Sequence, residues 1–187
     1  MTETLKYAVT KKEDQFELRQ YPAHIKAEVE VADSSYRKAI YQGFNVLAGY
    51  IFGDNIDTQK IAMTSPVQVS DAKQIEMTKP VTVSGDDSYC VAFIMPAQYT
   101  LETLPMPKDP RINLTKIDSG AMAALRFSGF FSENKVRKAK EKLQGWIAQE
   151  GLEPAGEFIV ARYNPPWVPW FLARNEVMIL VKDETGE

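Results

Sequence analysis

Phe16–Tyr21 alternates apolar and polar side chains, the two-residue period of a half-buried strand. Pro22 breaks the run, and Ile25, Ala27, Val29 and Val31 resume it on one face. Asp33 or Ser34 is placed to cap a helix with its side-chain oxygen. Tyr36, Ile40, Phe44, Leu47 and Ile51 then recur at helical spacing, and Gly53 supplies the left-handed residue that ends a helix. The pattern returns later in the chain. Ile112–Ile117 and residues 121–127 read as strands, and Ser132 caps a second helix. Its stripe is Val136, Ala139, Leu143, Trp146 and Ile147, closed by Gly151. Strands over 158–163 and 177–181 follow.

Between the helices, Ile61-Ala62-Met63-Thr64-Ser65-Pro66-Val67 is echoed by Ile75-Glu76-Met77-Thr78-Lys79-Pro80-Val81, which predicts two short strands, each stopped by its proline. Residues 91–95 read as a buried strand, and 99–110, with three prolines, as a surface crossing. Each half therefore runs strand, strand, helix, strands. The expectation is a single α+β domain over 1–187 whose halves, about 12–98 and 108–182, close into one distorted β-barrel. Each half supplies strands and one outer helix, and their junction leaves a cleft suited to a pocket.

Composition narrows the function. A net charge of −3 with scattered basic residues gives no footprint for nucleic acid. Cys90 is the one cysteine, which points to a reducing compartment and a cytoplasmic protein. No apolar run approaches the ~20 residues of a membrane span. With one histidine and one cysteine, the usual zinc sets cannot be assembled. No nucleophile elbow, phosphate loop or Cys-x-x-Cys-His run occurs.

What remains is modest. Glu76, Glu157 and Glu176 lie on strand-like segments and suit either carboxylate chemistry or structural ion pairs. His24 is expected at a surface or edge position. Met63 can fill a gap in the core, although a thioether also ligates iron. Residues 163–171 gather Tyr163, Trp167, Trp170 and Phe171 among three prolines, as a rigid hydrophobic lid or as a plug in the core.

Several segments in order carry a resemblance: Phe16-Glu17-Leu18-Arg19-Gln20-Tyr21, Lys60-Ile61-Ala62-Met63-Thr64-Ser65-Pro66-Val67, Phe93-Ile94-Met95-Pro96-Ala97-Gln98-Tyr99, and Ala161-Arg162-Tyr163-Asn164-Pro165-Pro166-Trp167 running on to Arg174-Asn175-Glu176-Val177. Over nearly the whole chain the sequence resembles the SOUL haem-binding family. The resemblance implies a distorted barrel of two pseudo-symmetric halves and non-covalent binding of haem or a related porphyrin. It places the ligand against the first helix, at Arg37, Tyr41, Phe44 and Ala48, with Tyr163, Trp167, Trp170, Phe171 and Arg174 from the late loop. Arg37, Lys38, Arg162 and Arg174 are then the cations for propionates. Gln20 stands where some members carry a histidine proposed to ligate iron, so His24 is expected to matter little for affinity. The expected function is a tetrapyrrole carrier or buffer. A small-molecule effector module and a hydrolase using Glu176 are the other classes.

Overall fold

The computed structural model describes residues 3–32, 35–71, 88–129, 132–163 and 173–182. Glu76, Met77, Trp167, Trp170 and Phe171 lie outside the described residues, as does the second copy of the proline-stopped segment. The elements in chain order are β1 (Glu3–Thr4), β2 (Ala8–Glu13), β3 (Phe16–Tyr21), β4 (His24–Ala32), α1 (Tyr36–Ile51), β5 (Thr64–Ser65), β6 (Val67–Asp71) and β7 (Ser88–Ile94). They continue with β8 (Ile112–Ile117), β9 (Gly120–Phe127), α2 (Glu133–Gln149), β10 (Ile159–Arg162) and β11 (Asn175–Val181).

Nine of these strands form one sheet in the order β2-β3-β9-β11-β10-β6-β7-β4-β8. Five strands separate β3 from β4, yet only Pro22 and Ala23 connect them. On a flat sheet six strand spacings would span about 29 Å. Three residue steps reach at most ~11 Å. The connection from β8 to β9, Asp118 and Ser119, crosses the same number of strands. Two such short ties force the sheet to curl into a half-barrel. Exchange of β3, β4, α1, β6 and β7 for β8, β9, α2, β10 and β11 turns the order into its own reverse, with β2 added outside one end.

Both helices lie on one face of the sheet. Directly opposed residues share a face, and Val91, Val69, Val160, Val177 and Leu125 form a continuous chain of opposed partners. Val91 belongs to the core under α1, with Ala27, Val29, Phe93 and Leu47. Val160, Val177 and Leu125 belong to the core under α2, with Leu143, Trp146 and Ile147. Gly43 allows α1 to lie close: a Cβ there would stand 2.6 Å from Val91 Cγ2. The opposite face bears no helix among the described residues. It carries Met122, Ala124, Ala161 and Met178 together with Arg19 and Glu176.

Both helix ends follow the sequence. Gly53, at φ 115°, donates to Tyr50 O, and Asp54 N–H reaches back to Gly49 O. Gly151, at φ 69°, and Leu152 repeat the arrangement with Ala148 O and Ile147 O. Ser132 caps α2 by accepting from Lys135 N–H at 3.3 Å.

Several local readings change. The N-cap of α1 is Ser35, not Asp33 or Ser34. The buried stripe of α1 runs through Ala39, Gly43 and Tyr50, so Ile40 and Phe44 are only half-buried, on its flank. Pro66 does stop a short strand, β5, which is only Thr64–Ser65, and the chain resumes as β6 at Val67. Glu157 precedes β10 and is exposed rather than on a strand. β2 went unpredicted because all six of its residues are exposed and show no apolar period.

Candidate functional site

Charge is concentrated on the helix-free face. Alternation in β3 sends Glu17, Arg19 and Tyr21 to that face, and alternation in β11 sends Glu176 and Met178 there. Arg19 and Glu176 meet across strands far apart in sequence. Arg19 Nη1 and Nη2 donate to the two carboxylate oxygens at 2.6 and 2.9 Å. Tyr163 OH donates to Oε2 and Arg174 Nε to Oε1, each at 2.9 Å. Tyr7 stacks under the Arg19 guanidinium at 4.3 Å, and Tyr163 under that of Arg174 at 4.0 Å. Arg174 also reaches Tyr7 OH at 2.8 Å.

Burial alone would raise the pKa of Glu176. The hydrogen bonds and charges of Arg19, with those of Arg174, outweigh it and hold the carboxyl below its ordinary range. Burial and the neighbouring Glu176 carboxylate push the Tyr163 phenol well above its ordinary value. A carboxylate has about four acceptor positions, and four donors fill them here. Glu176 is therefore a structural counter-ion with no acceptor position left to activate water. Tyr163 and Arg174, expected at a ligand, are committed to this cluster on the sheet.

The α1 positions form a separate surface. Arg37, Tyr41, Phe44 and Ala48, spaced four, three and four apart, line one flank of the helix. Arg37 is exposed, Tyr41 is 69% exposed, and Phe44 packs edge-on against Phe93 at 5.3 Å. Ala48 is half-buried. Met63 packs against the core under α1.

Among the described residues, two cavities are of a size that suits a ligand. One, of about 570 Å³, lies over the central strands β6 and β10 and between the first turns of α1 and α2. Tyr36, Val69, Tyr89, Val136 and Val160 supply its apolar wall. Lys140 pairs with Asp71 at 3.3 Å and Arg137 with Glu141 at 3.1 Å, and Glu133 lines the cavity too. The other, of about 550 Å³, lies among the N-terminal segment, the start of β4, the end of β8 and the 95–102 loop. Leu5, Pro22, Ile25, Ile94, Met95, Tyr99 and Leu101 give it an apolar wall. Lys6, Lys116, Glu3, Glu102 and His24 line it as well, so its charges are balanced.

His24 is expected at a surface or edge position, with Gln20 at the place where some members carry a histidine. The structure separates the two residues. Gln20 sits on β3 on the helix-bearing face, opposite Ala121, whereas His24 opens β4 on the far side of the sheet. Pro22 ends one strand, and the two-residue tie hands the chain across the barrel. His24 is half-buried, and its Nδ1 lies 3.0 Å from Pro22 O. No helix of the described residues is long and apolar enough to cross a membrane. No group of three or more His, Cys, Asp or Glu among them could hold a metal ion.

The sequence model of a family described as "SOUL heme-binding protein" matches residues 2–180. Heme-binding protein 1 of Xenopus laevis is 25% identical over 165 residues, covering 88% of this chain and 83% of that protein. Among solved structures, the EcmrR C-terminal domain aligns with a TM-score of 0.64 at 13% identity, covering 90% of this chain and 98% of that one. A hydrolase encoded by lin2189 from Listeria innocua aligns with a TM-score of 0.61 at 13% identity, covering 97% and 100%. At such identity these two likenesses establish the fold alone. The match along nearly the whole sequence establishes more: this chain belongs to the SOUL haem-binding family.

Proposed function

We propose that this chain binds haem or a related tetrapyrrole non-covalently and acts as a cytoplasmic carrier or buffer. The observation that carries the reading to a place on the molecule is the cavity of about 550 Å³ between the N-terminal segment and the 95–102 loop. Its size falls within the ~300–1,000 Å³ of small-molecule sites. Its apolar wall suits the macrocycle, and its lysines can meet carboxylates although Glu3 and Glu102 share the lining. Removal of apolar surface from water, at about 25 cal/mol per Å², supplies the drive against the cost of association. The same reading takes 12–98 and 108–182 as copies of one unit, supported by the reversible strand order.

The flank of α1 is a second seat for the macrocycle, favoured by the solvent-exposed ring of Tyr41 beside Arg37. It offers a ring and a guanidinium without enclosure, so the cavity ranks first. The four filled acceptor positions of Glu176 count against a hydrolase built on that residue.

Titration of untagged protein with haemin tests the reading. The expected affinity is micromolar or tighter, about −8 kcal/mol. Leu101→Trp, which fills the cavity from a 40% exposed position, is expected to weaken haemin by about tenfold. Tyr41→Ala is expected to leave it unchanged. The reverse pattern moves the site to α1, and a response no greater than that of an unrelated control protein sinks the proposal.

A further inference from the structure

The loop that follows α1 is fixed from the inside. Asn55 is fully buried. Its Nδ2 donates to Tyr50 O at 3.0 Å and to Gln59 O at 2.7 Å, and its Oδ1 accepts from Gln59 N–H at 2.9 Å. An amide with both donors and its acceptor engaged holds the chain around it in one conformation. Ile61 N–H reaches back to Ile51 O at 2.8 Å and closes the far end of the loop. A second loop is tied to the first. Tyr50 OH donates to Pro105 O at 2.8 Å, Ile56 N–H donates to Met106 O at 3.0 Å, and Asn55 and Pro107 form an antiparallel bridge.

This anchored platform leaves apolar side chains in water. Phe52, Ile56 and Met106 are 64%, 59% and 65% exposed. The other large apolar side chains exposed among the described residues, Val9, Tyr41, Leu101 and Leu180, are dispersed over β2, α1, the 95–102 loop and β11. Single exposed apolar residues are ordinary, whereas a group of them marks an interaction surface. This group offers on the order of 300 Å² of apolar surface, less than half of the ~800 Å² per partner in a stable protein interface. The charges around it cancel: Asp54, Asp57 and Asp109 against Lys60, Lys108 and Arg111. Lys108 lies 3.8 Å from Asp54, and Arg111 2.6 Å from Asp109. A lipid surface demands neither a matching shape nor an opposite charge. Its boundary between headgroups and acyl chains accepts apolar side chains to a depth of roughly 5–10 Å.

We propose that Phe52, Ile56 and Met106 are a docking tip through which this protein attaches reversibly to the surface of a zwitterionic lipid bilayer. The three side chains enter the boundary between headgroups and acyl chains, and the balanced charges around them stay in water. The net charge of −3 gives no attraction to anionic lipid, so apolar insertion carries the attachment. Met106 adds a flexible thioether chain that adapts to a fluid surface. The attachment does not depend on what either cavity holds.

The test is flotation of untagged protein with phosphatidylcholine vesicles in a density gradient, beside sedimentation velocity of the protein alone. The wild type is expected to float in part with the vesicles. Phe52→Ser with Ile56→Ser and Met106→Ser is expected to lower the bound-to-free ratio about tenfold or more, and to sediment alone as the wild type does. Val9→Ser, which removes an exposed apolar side chain elsewhere, is expected to leave the ratio unchanged. Adding phosphatidylserine to the vesicles is expected not to raise it. Should the triple variant fold poorly by circular dichroism, Met106→Asp decides, with the same loss expected. Wild type absent from the floating fraction overturns the proposal, as does equal flotation of wild type and variant. Flotation that appears only with phosphatidylserine assigns the attachment to cations and overturns it too. A wild-type dimer that the triple variant dissolves would make a second copy of this chain the occupant in place of lipid.

Discussion

Arg19 and Glu176, 157 residues apart, form a two-pronged ion pair at 2.6 and 2.9 Å, with both residues at most 1% exposed. The pair ties β3 to β11 across β9, and Tyr163 and Arg174 complete the carboxylate's partners. Removing the Glu176 charge leaves buried Arg19 with Glu17, at 2.7 Å, as its remaining counter-ion, and breaking a buried pair costs about 3–5 kcal/mol in comparable cases. Glu176→Gln is therefore expected to lower stability by that order, measured by urea denaturation. Arg19→Met with Glu176→Leu, which removes both charges, is expected to lose much less. Equal losses in the single and double variants would contradict the account.

The same carboxylate sets an acid dependence. Arg19, Glu17 and Tyr21 face it from β3, with Tyr7, Tyr163 and Arg174 on its other sides. Its folded pKa lies below the ordinary value. An unfolded glutamate titrates near ~4.3. Between those values the unfolded chain binds the proton more readily, so stability rises with pH there. The contribution is complete above ~4.3 and is lost as pH falls through the folded value. Stability curves against pH are expected to be shallower on the acid side for Glu176→Gln than for the wild type. Parallel curves would show that other carboxylates carry the effect.

Gly43 sets how closely α1 approaches the sheet. Alanine there would gain up to about 1 kcal/mol of helix propensity. Its Cβ would also stand 2.6 Å from Val91 Cγ2, and overpacking of a core typically costs ~1–3 kcal/mol. The clash is expected to win, with Gly43→Ala less stable than the wild type in chemical denaturation. Val91→Ala in the Gly43→Ala background is expected to cost less than Val91→Ala alone, because it relieves that clash. Strict additivity would mean that α1 and β7 are not in the contact described.

Trp167 and Trp170 belong to the proline-rich segment outside the described residues. Trp167→Ala is expected to act as loss of a lid, weakening haemin about tenfold with little change in stability. Trp170→Ala is expected to act as loss of a plug, costing ~3–5 kcal/mol of stability. Paired melting and haemin titrations separate the two, and unchanged haemin affinity in folded Trp167→Ala would rule out the lid.

Local signals in the chain read out correctly where the governing physics is local. The stripe Val136, Ala139, Leu143, Trp146 and Ile147 is the buried face of α2, because the 3.6-residue period alone decides which side chains share a face. Gly53 and Gly151 end both helices because glycine adopts positive φ without a Cβ clash. A signal for the charged cluster was also present. Glu17 and Arg19, like Arg174 and Glu176, are opposite charges two residues apart on strands, and so point to one face. Their pairing could not be read, since nothing in either segment says that β3 and β11 flank β9. Likewise, Pro22 announced a break after Tyr21 but not that the next two residues would cross five strands and carry His24 to a cavity remote from Gln20. Sequence determined both helices with their C-terminal ends, most of the strands and the family resemblance. Tertiary structure alone decided which polar residues meet and which line a cavity, because strand order and sheet curvature come from contacts between segments distant along the chain.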